Sequence, residues 1–179
     1  IIVRYYLYGR VRPKLLNAGV KSVMDSEKIA EKEIPESVIV ETRFGEIEFS
    51  WDKGIYMPVG LLGFPEHHVF GIANIPNTSL DQFKLYQSLT DANLSFIVAP
   101  YNMESGVYSD KDLEIALKSL AIEHKDVAII MVVTVRSATD GKGITMSTNL
   151  RAPILIDTVR QVAWQHIMPN DKYSVQHDL

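Results

Sequence analysis

The sequence contains no cysteine among its 179 residues. Disulfides and thiolate zinc ligands are therefore excluded, and an intracellular location is allowed. Long apolar runs are missing too, because the longest one, residues 127–135, has nine residues, whereas a membrane-spanning helix needs about 20. No stretch has the features of a signal peptide. With 46% hydrophobic residues, the composition instead predicts one soluble globular domain.

Acidic side chains are absent from the first 23 residues, which hold five of the 18 basic ones. From Met24 onward, 13 basic residues therefore oppose 22 acidic residues, which gives a net charge of −9. Such a surface repels nucleic-acid phosphates and attracts a basic protein. We expect no direct contact with nucleic acid or membrane.

The N-terminal segment differs from the rest in charge and pattern. We expect residues 1–36 to be an extension that is disordered or, before Met24, not native, and residues 37–179 to form the folded domain. The alternative for residues 1–23 is a short basic membrane-binding or targeting segment.

Apolar residues alternate from residue 37 onward, which is typical of β-strands. Val38 and Val40 have one parity, whereas Ile47 and Phe49 have the other. A strand keeps its faces only if parity is kept, so we expect a bulge or tight turn at Gly45. Further strands are predicted at residues 69–73, 83–89, 94–99, 127–135, 153–157 and 162–167. The segment 127–135 is apolar at both parities and predicts a central strand covered on both faces.

A single helix is predicted at about residues 110–120. Ser109 followed by Asp112 is typical of a helix N-terminus, and apolar residues recur at helical spacing from Leu113 to Leu120. The segment 138–143, ATDGKG, predicts a tight or flexible connection between strands. The pattern as a whole predicts a mainly β single domain, an antiparallel β-barrel-like fold or sandwich with one short helix.

The common catalytic constellations do not occur at the spacing that they need. His67 and His68 alternate faces on a strand and have no second pair at ligand spacing, and the GKG of residues 141–143 lacks the rest of a phosphate-binding loop. No serine lies in a nucleophile elbow. We therefore expect neither an enzyme, nor a metal site, nor a bound cofactor.

Residues 54–66, GIYMPVGLLGFPE, combine chain breakers with much apolar surface. Either the segment folds back onto the core as a plug, or it offers an apolar surface to a partner. We favour the plug, in which Ile55 and Met57 face inward. Leu61, Leu62 and Phe64 would then cap the open end of the barrel, with the glycine at position 63 allowing a close backbone approach.

Five separated blocks of the sequence resemble the flagellar assembly factor FliW family. They are ETRFGEIEF (41–49), GIYMPVGLLGF (54–64), LYQSLTDANLSFIV (85–98), STNLRAPILID (147–157) and YSVQHDL (173–179). The chain departs from the family's pattern at Met57, where the family has Phe, and at Arg160, where a Gly-Lys turn is replaced by one residue. The first change conserves volume, whereas the second places the register of a hairpin in question.

This resemblance implies a cytoplasmic, non-enzymatic, β-barrel-like protein that binds two partners in turn. One is the basic RNA-binding translational regulator CsrA, which would be antagonised by an allosteric contact rather than by RNA mimicry. The other is newly made flagellin, which would take the factor away from CsrA and so restore repression of flagellin synthesis. The factor would act as a flagellin chaperone and be a monomer when free. The alternative function is a small-ligand-binding β-barrel without CsrA contact.

Candidate partner-binding residues are exposed carboxylates and apolar or polar residues near strand ends. Each has a structural alternative: a solvated strand face for the glutamates, turn chemistry for Asp91 and Asn93, the core for the aromatic residues, and a backbone cap for the remaining asparagine. The candidates are Glu46, Glu48, Phe83, Tyr86, Asp91, Asn93 and Asn149.

Overall fold

The computed structural model describes residues 36–78, 80–137, 143–169 and 172–179. The predicted extension lies outside these residues except for residue 36, as does most of the predicted connection at 138–143. The proposed division into an extension and a folded domain therefore stays a prediction. The described elements are β1 (Ser37–Thr42), β2 (Gly45–Ser50), β3 (Ile55–Tyr56), β4 (Val69–Asn74), β5 (Lys84–Ser88), β6 (Ser95–Pro100), α1 (Asp110–Leu120), β7 (Val127–Ser137), β8 (Ile144–Thr148), β9 (Ile154–Asp157), β10 (Val162–Gln165) and β11 (His177–Asp178), with 3-10 turns at Trp51–Lys53, Met103–Ser105 and His124–Asp126.

Strands β1 and β2 form a two-stranded hairpin of their own. Gly45 has a φ of 99°, a left-handed conformation that favours glycine, and it pairs directly with Thr42 across a tight turn. Val38 pairs with Phe49 and Val40 with Ile47. The even-numbered apolar residues of β1 and the odd-numbered apolar residues of β2 therefore lie on the same face of the hairpin. That face packs toward Leu89 and β4. The expected change of parity at Gly45 is thus confirmed as a turn rather than a bulge.

The remaining nine strands form one mixed sheet in the order β11-β8-β7-β6-β5-β4-β3-β10-β9. Strand β7 also pairs with β9, and this contact joins two distant parts of the sheet. The sheet is therefore near-closed, although it is not formally a barrel. The pairing of β3 with β10 is parallel, a feature that alternation of apolar residues does not reveal. The prediction of a mainly β, barrel-like domain with one short helix is confirmed.

Strand β7 is covered on both faces at residues 129–133, as its apolar sequence predicted, whereas residues 134–137 are exposed. Ile129 and Met131 lie in the cluster that includes the apolar face of α1. Ile130 lies in a second cluster in the interior of the near-closed sheet, with Val132 packed against it. Because successive strand residues point to opposite faces, one strand serves two cores.

Helix α1 begins and ends where the sequence predicts. The Ser109 side chain accepts a hydrogen bond from the Asp112 backbone N–H at 3.3 Å, which satisfies one of the free donors of the first turn. Leu113, Ala116 and Leu117 are buried and hold the helix on the outside of the sheet. The chain leaves the helix through Ala121, which has a left-handed φ of 52°.

Strands β9 and β10 form an antiparallel hairpin whose turn contains Arg160. The Asp157 side chain accepts backbone hydrogen bonds from Val159 at 3.0 Å and from Arg160 at 2.7 Å, and Val162 pairs with Asp157. Burial works to raise the pKa of Asp157, but the backbone and side-chain hydrogen bonds from Arg160 outweigh it and lower that pKa. The buried Asp157 carboxylate therefore holds the turn through the backbone N–H groups of residues 159 and 160.

Candidate partner-binding surfaces

The outer face of the β1–β2 hairpin is acidic. Glu41, Glu46 and Glu48 are exposed, and Glu41 is paired directly opposite Glu46 across the two strands. Ile39, paired opposite Glu48, is 65% exposed. Like charges that face each other across strands destabilise the pair, so the hairpin carries this arrangement at a cost to its own stability.

No ion pair neutralises this face within the described part of the chain. Glu48 accepts a hydrogen bond from the Ser37 hydroxyl at 2.5 Å, which leaves its charge in place. The arginine of the same hairpin, Arg43, is occupied elsewhere, because its guanidinium donates to the side chain and the carbonyl of Ser95 at 3.2 and 3.0 Å. The face therefore presents three carboxylates and one apolar side chain to solvent. We name these four residues the acidic face.

The segment 54–66 is divided between the core and the surface. Ile55, Met57 and Leu61 lie in the interior cluster, as the plug predicts. The prediction that Leu62 and Phe64 also cap the sheet is wrong, because they are 58% and 39% exposed. Their neighbour Val59 is 65% exposed. We name the three exposed side chains, Val59, Leu62 and Phe64, the apolar loop surface.

Two glycines hold the loop in this shape, and they do so differently from the prediction. Gly60 has a φ of 66°, and a Cβ there would lie 2.5 Å from the Phe64 carbonyl oxygen. Gly63 has a φ of 86° but nothing within 4 Å of a Cβ. The close backbone approach expected at Gly63 therefore occurs at Gly60, because the chain folds back at that point onto residues 64 and 65.

The aromatic candidates Phe83 and Tyr86 are buried. Phe83 belongs to the cluster that packs on α1, and the Tyr86 ring stacks on Phe70 with centroids 4.6 Å apart. Burial raises the pKa of the Tyr86 hydroxyl, which has no hydrogen-bond partner among the described residues. This placement favours the structural alternative for both residues.

The polar candidates Asp91, Asn93 and Asn149 take part in local turns. The Asp91 carboxylate accepts from the backbone N–H of Asn93 at 2.9 Å. The Asn149 side-chain oxygen accepts from the backbone N–H groups of Arg151 and Ala152 at 3.0 and 3.1 Å. These bonds satisfy backbone donors in the way that Asx turns do. As contacts to a partner, all seven candidates stay predictions, and the structure groups only Glu46 and Glu48 on one face.

A polar network joins the N-terminus of α1 to the C-terminal segment. The Asp112 carboxylate accepts hydrogen bonds from Lys172 at 2.8 Å, from the Tyr173 hydroxyl at 2.6 Å and from Ser109 at 2.7 Å. These bonds, the one from Lys172 first, hold the pKa of Asp112 well below its usual range. Tyr173 is buried, so the network fixes residues 172–173 to the helix.

Comparison with known proteins shows to which family this chain belongs. The model of the FliW protein family matches residues 38–179. The chain belongs to the FliW family. FliW proteins are flagellar assembly factors, and membership in this non-enzymatic family confirms the resemblance and the expectation that the chain is not an enzyme.

Several FliW relatives are similar over most of their length. The flagellar assembly factor FliW of Syntrophus aciditrophicus is 30% identical over 139 residues, which cover 77% of this chain and 84% of that protein. The FliW of Oceanobacillus iheyensis is 32% identical over 74% of this chain and 86% of that protein. The FliW of Clostridium botulinum strain Okra is 34% identical over 75% of this chain and 91% of that protein.

A crystal structure of the flagellar assembly factor FliW has the same fold. It is 23% identical in sequence, has a TM-score of 0.57, and covers 79% of this chain and 95% of that chain. Within the described residues of this FliW-family chain, no helix is long and apolar enough to cross a membrane. The same residues contain no group of three or more His, Asp or Glu side chains that could hold a metal ion.

The sequence-based candidates did not include five residues of these surfaces, although an apolar partner surface was the alternative for residues 54–66: Ile39, Glu41, Val59, Leu62 and Phe64. For Ile39 a signal existed, because it shares the parity of the predicted solvent side of β1. For the loop residues, spacing along the sequence could not predict which side chains are exposed, because loop residues follow neither helical nor strand periodicity.

Proposed function

We propose that this FliW-family chain binds CsrA and flagellin in turn, and that its hold on CsrA relieves the repression of flagellin synthesis. It acts in the cytoplasm and is a monomer when free. The observation that supports the CsrA arm is the acidic face, where three exposed carboxylates lie beside an exposed isoleucine. Such a surface attracts a basic RNA-binding protein by long-range steering, and the apolar side chain supplies contact area.

The strain built into the acidic face supports the same proposal. Glu41 and Glu46 repel each other across the hairpin, which costs on the order of 0.2–1 kcal/mol of stability. A basic partner relieves that repulsion when it binds. Residues kept for binding often reduce the stability of the free protein in this way.

The alternative, a small-ligand-binding barrel, requires an apolar cavity within the sheet. The interior of the described sheet instead holds large side chains of its own, and those of Met57, Phe70, Tyr86, Val98 and Ile154 are fully buried. A groove of about 280 Å³ lies outside the interior, between β8 and the C-terminal segment, and is lined mostly by polar residues including Arg136, Gln176 and Asp178. We therefore do not propose a ligand-binding function.

The test of the CsrA arm is a charge reversal with a matched control. Glu46→Lys with Glu48→Lys should weaken CsrA binding by about tenfold or more, and wild-type binding should weaken with added salt. The control, Glu104→Lys with Glu123→Lys, makes the same charge change at exposed positions away from the hairpin and should alter the affinity by less than about threefold. The measurement is isothermal titration with purified CsrA at two salt concentrations.

The stability of the variants separates lost contact from misfolding. Glu46→Lys places a positive charge opposite Glu41 across the hairpin and replaces repulsion by attraction, which offsets the Ser37–Glu48 hydrogen bond lost in Glu48→Lys. The double variant should therefore be about as stable as the wild type. If the hairpin variant and the control variant weakened CsrA binding equally, the acidic face would not be a specific contact, and the loss would reflect the overall charge of the chain. If the wild type formed no complex with CsrA at micromolar concentration, that result would count against the proposed function itself.

A further inference from the structure

Strand β1 lies at the edge of its sheet, because within the described part of the chain it pairs only with β2. The Trp51 backbone N–H donates to the Glu36 carbonyl at 3.0 Å, one step beyond the pair of Ser37 with Ser50. Residues 36 and 51 therefore form a hydrogen-bonded pair. Hydrogen-bonded and non-hydrogen-bonded pairs alternate along an antiparallel ladder, so the even-numbered residues of β1 bond to β2. The odd-numbered residues direct their N–H and C=O groups away from β2.

These odd-numbered residues, Ser37, Ile39 and Glu41, give β1 a free backbone edge. Among the described residues, no hydrogen bond joins their backbone groups to another element. The edge is open to a partner, since Ile39 is 65% exposed and Glu41 is exposed as well. Unpaired N–H and C=O groups in a row are a template for pairing with another strand.

The composition of β1 does little to prevent such pairing. Edge strands of soluble proteins are commonly protected by a lysine, a proline or a bulge. The sequence of β1, SVIVET, has six residues and contains none of these, and its three consecutive β-branched residues at 38–40 favour an extended chain. Glu41 is its single charged residue, and this negative charge opposes the approach of an acidic strand.

The side chains along the free edge determine which strand fits beside it. Ile39 and Glu41 both belong to the acidic face, because alternate residues of a strand share a face. A strand added to this edge places one side chain beside Ile39 and another, two positions away, beside Glu41. Glu41 already faces Glu46 across the hairpin, so a Lys or Arg side chain beside it is attracted to two carboxylates, and an apolar side chain suits Ile39.

We propose that β1 is a docking edge, to which an extended segment of a basic partner adds as a third strand of the hairpin. Backbone hydrogen bonds to residues 37, 39 and 41 supply affinity, and a basic residue two positions from an apolar one supplies specificity. The identity of the partner as CsrA rests on the proposed function. Strand addition sets the register and orientation of the partner, which long-range attraction to the acidic face does not.

Amide hydrogen exchange of the full chain, alone and saturated with purified CsrA, tests this mode of binding directly. In the free chain the amides of Val38 and Val40 should exchange slowly because they donate to β2, whereas those of Ile39 and Glu41 should exchange fast. CsrA should slow exchange at Ile39 and Glu41 by about tenfold or more and so remove the alternation.

Two substitutions at one position separate the backbone contact from the side-chain contact. Ile39→Pro removes an N–H that points away from β2, and a proline is tolerated on an edge strand where its N–H would face solvent. Ile39→Ala keeps that N–H and removes most of the side chain. Ile39→Pro should weaken CsrA binding by about tenfold or more relative to Ile39→Ala, because a carbonyl of the added strand loses its donor. Urea denaturation checks that both variants fold.

Fast exchange at Ile39 and Glu41 in a formed CsrA complex would overturn strand addition and leave the proposed function intact. Equal CsrA affinity of folded Ile39→Pro and Ile39→Ala would do the same. If light scattering showed a dimer of the wild type that Ile39→Pro dissolves, the edge would belong to a second copy of this chain instead. If the wild type formed no complex with CsrA, the proposed function would be refuted, and strand addition by CsrA with it.

Discussion

Alanine substitutions at Leu61 and Phe64 test the division of the loop between core and surface. Leu61 is 4% exposed and packs in the interior cluster, whereas Phe64 is 39% exposed. From residue size alone, loss of the phenylalanine ring should be the more damaging change. The structure predicts the reverse order.

The magnitudes follow from burial. Removing the buried Leu61 side chain loses its transfer free energy and leaves a cavity, at a cost of about 3 kcal/mol. Phe64 is only about six-tenths buried, and water fills the space that its ring leaves, so its loss should cost about 1–2 kcal/mol. With a urea m-value of about 2 kcal/mol/M, the denaturation midpoint should fall by about 1.5 M for Leu61→Ala and by less than about 1 M for Phe64→Ala.

Urea denaturation followed by tryptophan fluorescence measures both changes, and an unchanged m-value shows that they reflect stability. A larger loss for Phe64→Ala than for Leu61→Ala would refute the assignment of Phe64 to the surface. It would restore the plug as the role of the whole segment.

Two further predictions concern backbone conformation and pH. Gly60→Ala should destabilise the domain by more than about 1 kcal/mol, because the left-handed φ and the nearby Phe64 carbonyl both oppose a Cβ; Gly143→Ala, with nothing within 4 Å, should change stability by less than about 0.5 kcal/mol in the same urea assay. Asp112→Asn should lower the melting temperature at pH 7, and the difference from wild type should shrink as the pH falls below about 4, because a depressed folded pKa gives stability that is lost on protonation. A difference that stays constant from pH 7 to pH 3 would contradict this role for the Asp112 charge.

Local patterns were sufficient wherever one segment contains all the information. Ser109 and the apolar spacing after it predicted α1 with its observed bounds. The parity change at Gly45 predicted a bulge or tight turn, which is the turn of the first hairpin, and the alternation of residues placed Glu46 and Glu48 on its exposed side. In each case the residues that decide the structure are neighbours in the chain, and their periodicity is read directly.

Long-range contacts were not accessible in this way. The parallel pairing of Tyr56 with Val162 and the second partner of β7 join segments that have no local signal for each other. The same limit applied to the loop, where Leu61 and Leu62 are adjacent and chemically identical. Leu61 packs in the interior cluster, whereas Leu62 is exposed and its backbone N–H donates to Gln165.

The sequence by itself determined the mainly β character, the helix, the acidic balance of the chain and, through five separated blocks, the likeness to the FliW family. These properties depend on residue type and on spacing along the chain. Only the tertiary structure decided that the carboxylates of β1 and β2 meet on one face and that half of the apolar loop is exposed. Burial is set by what packs against a residue, and those neighbours come from distant parts of the chain.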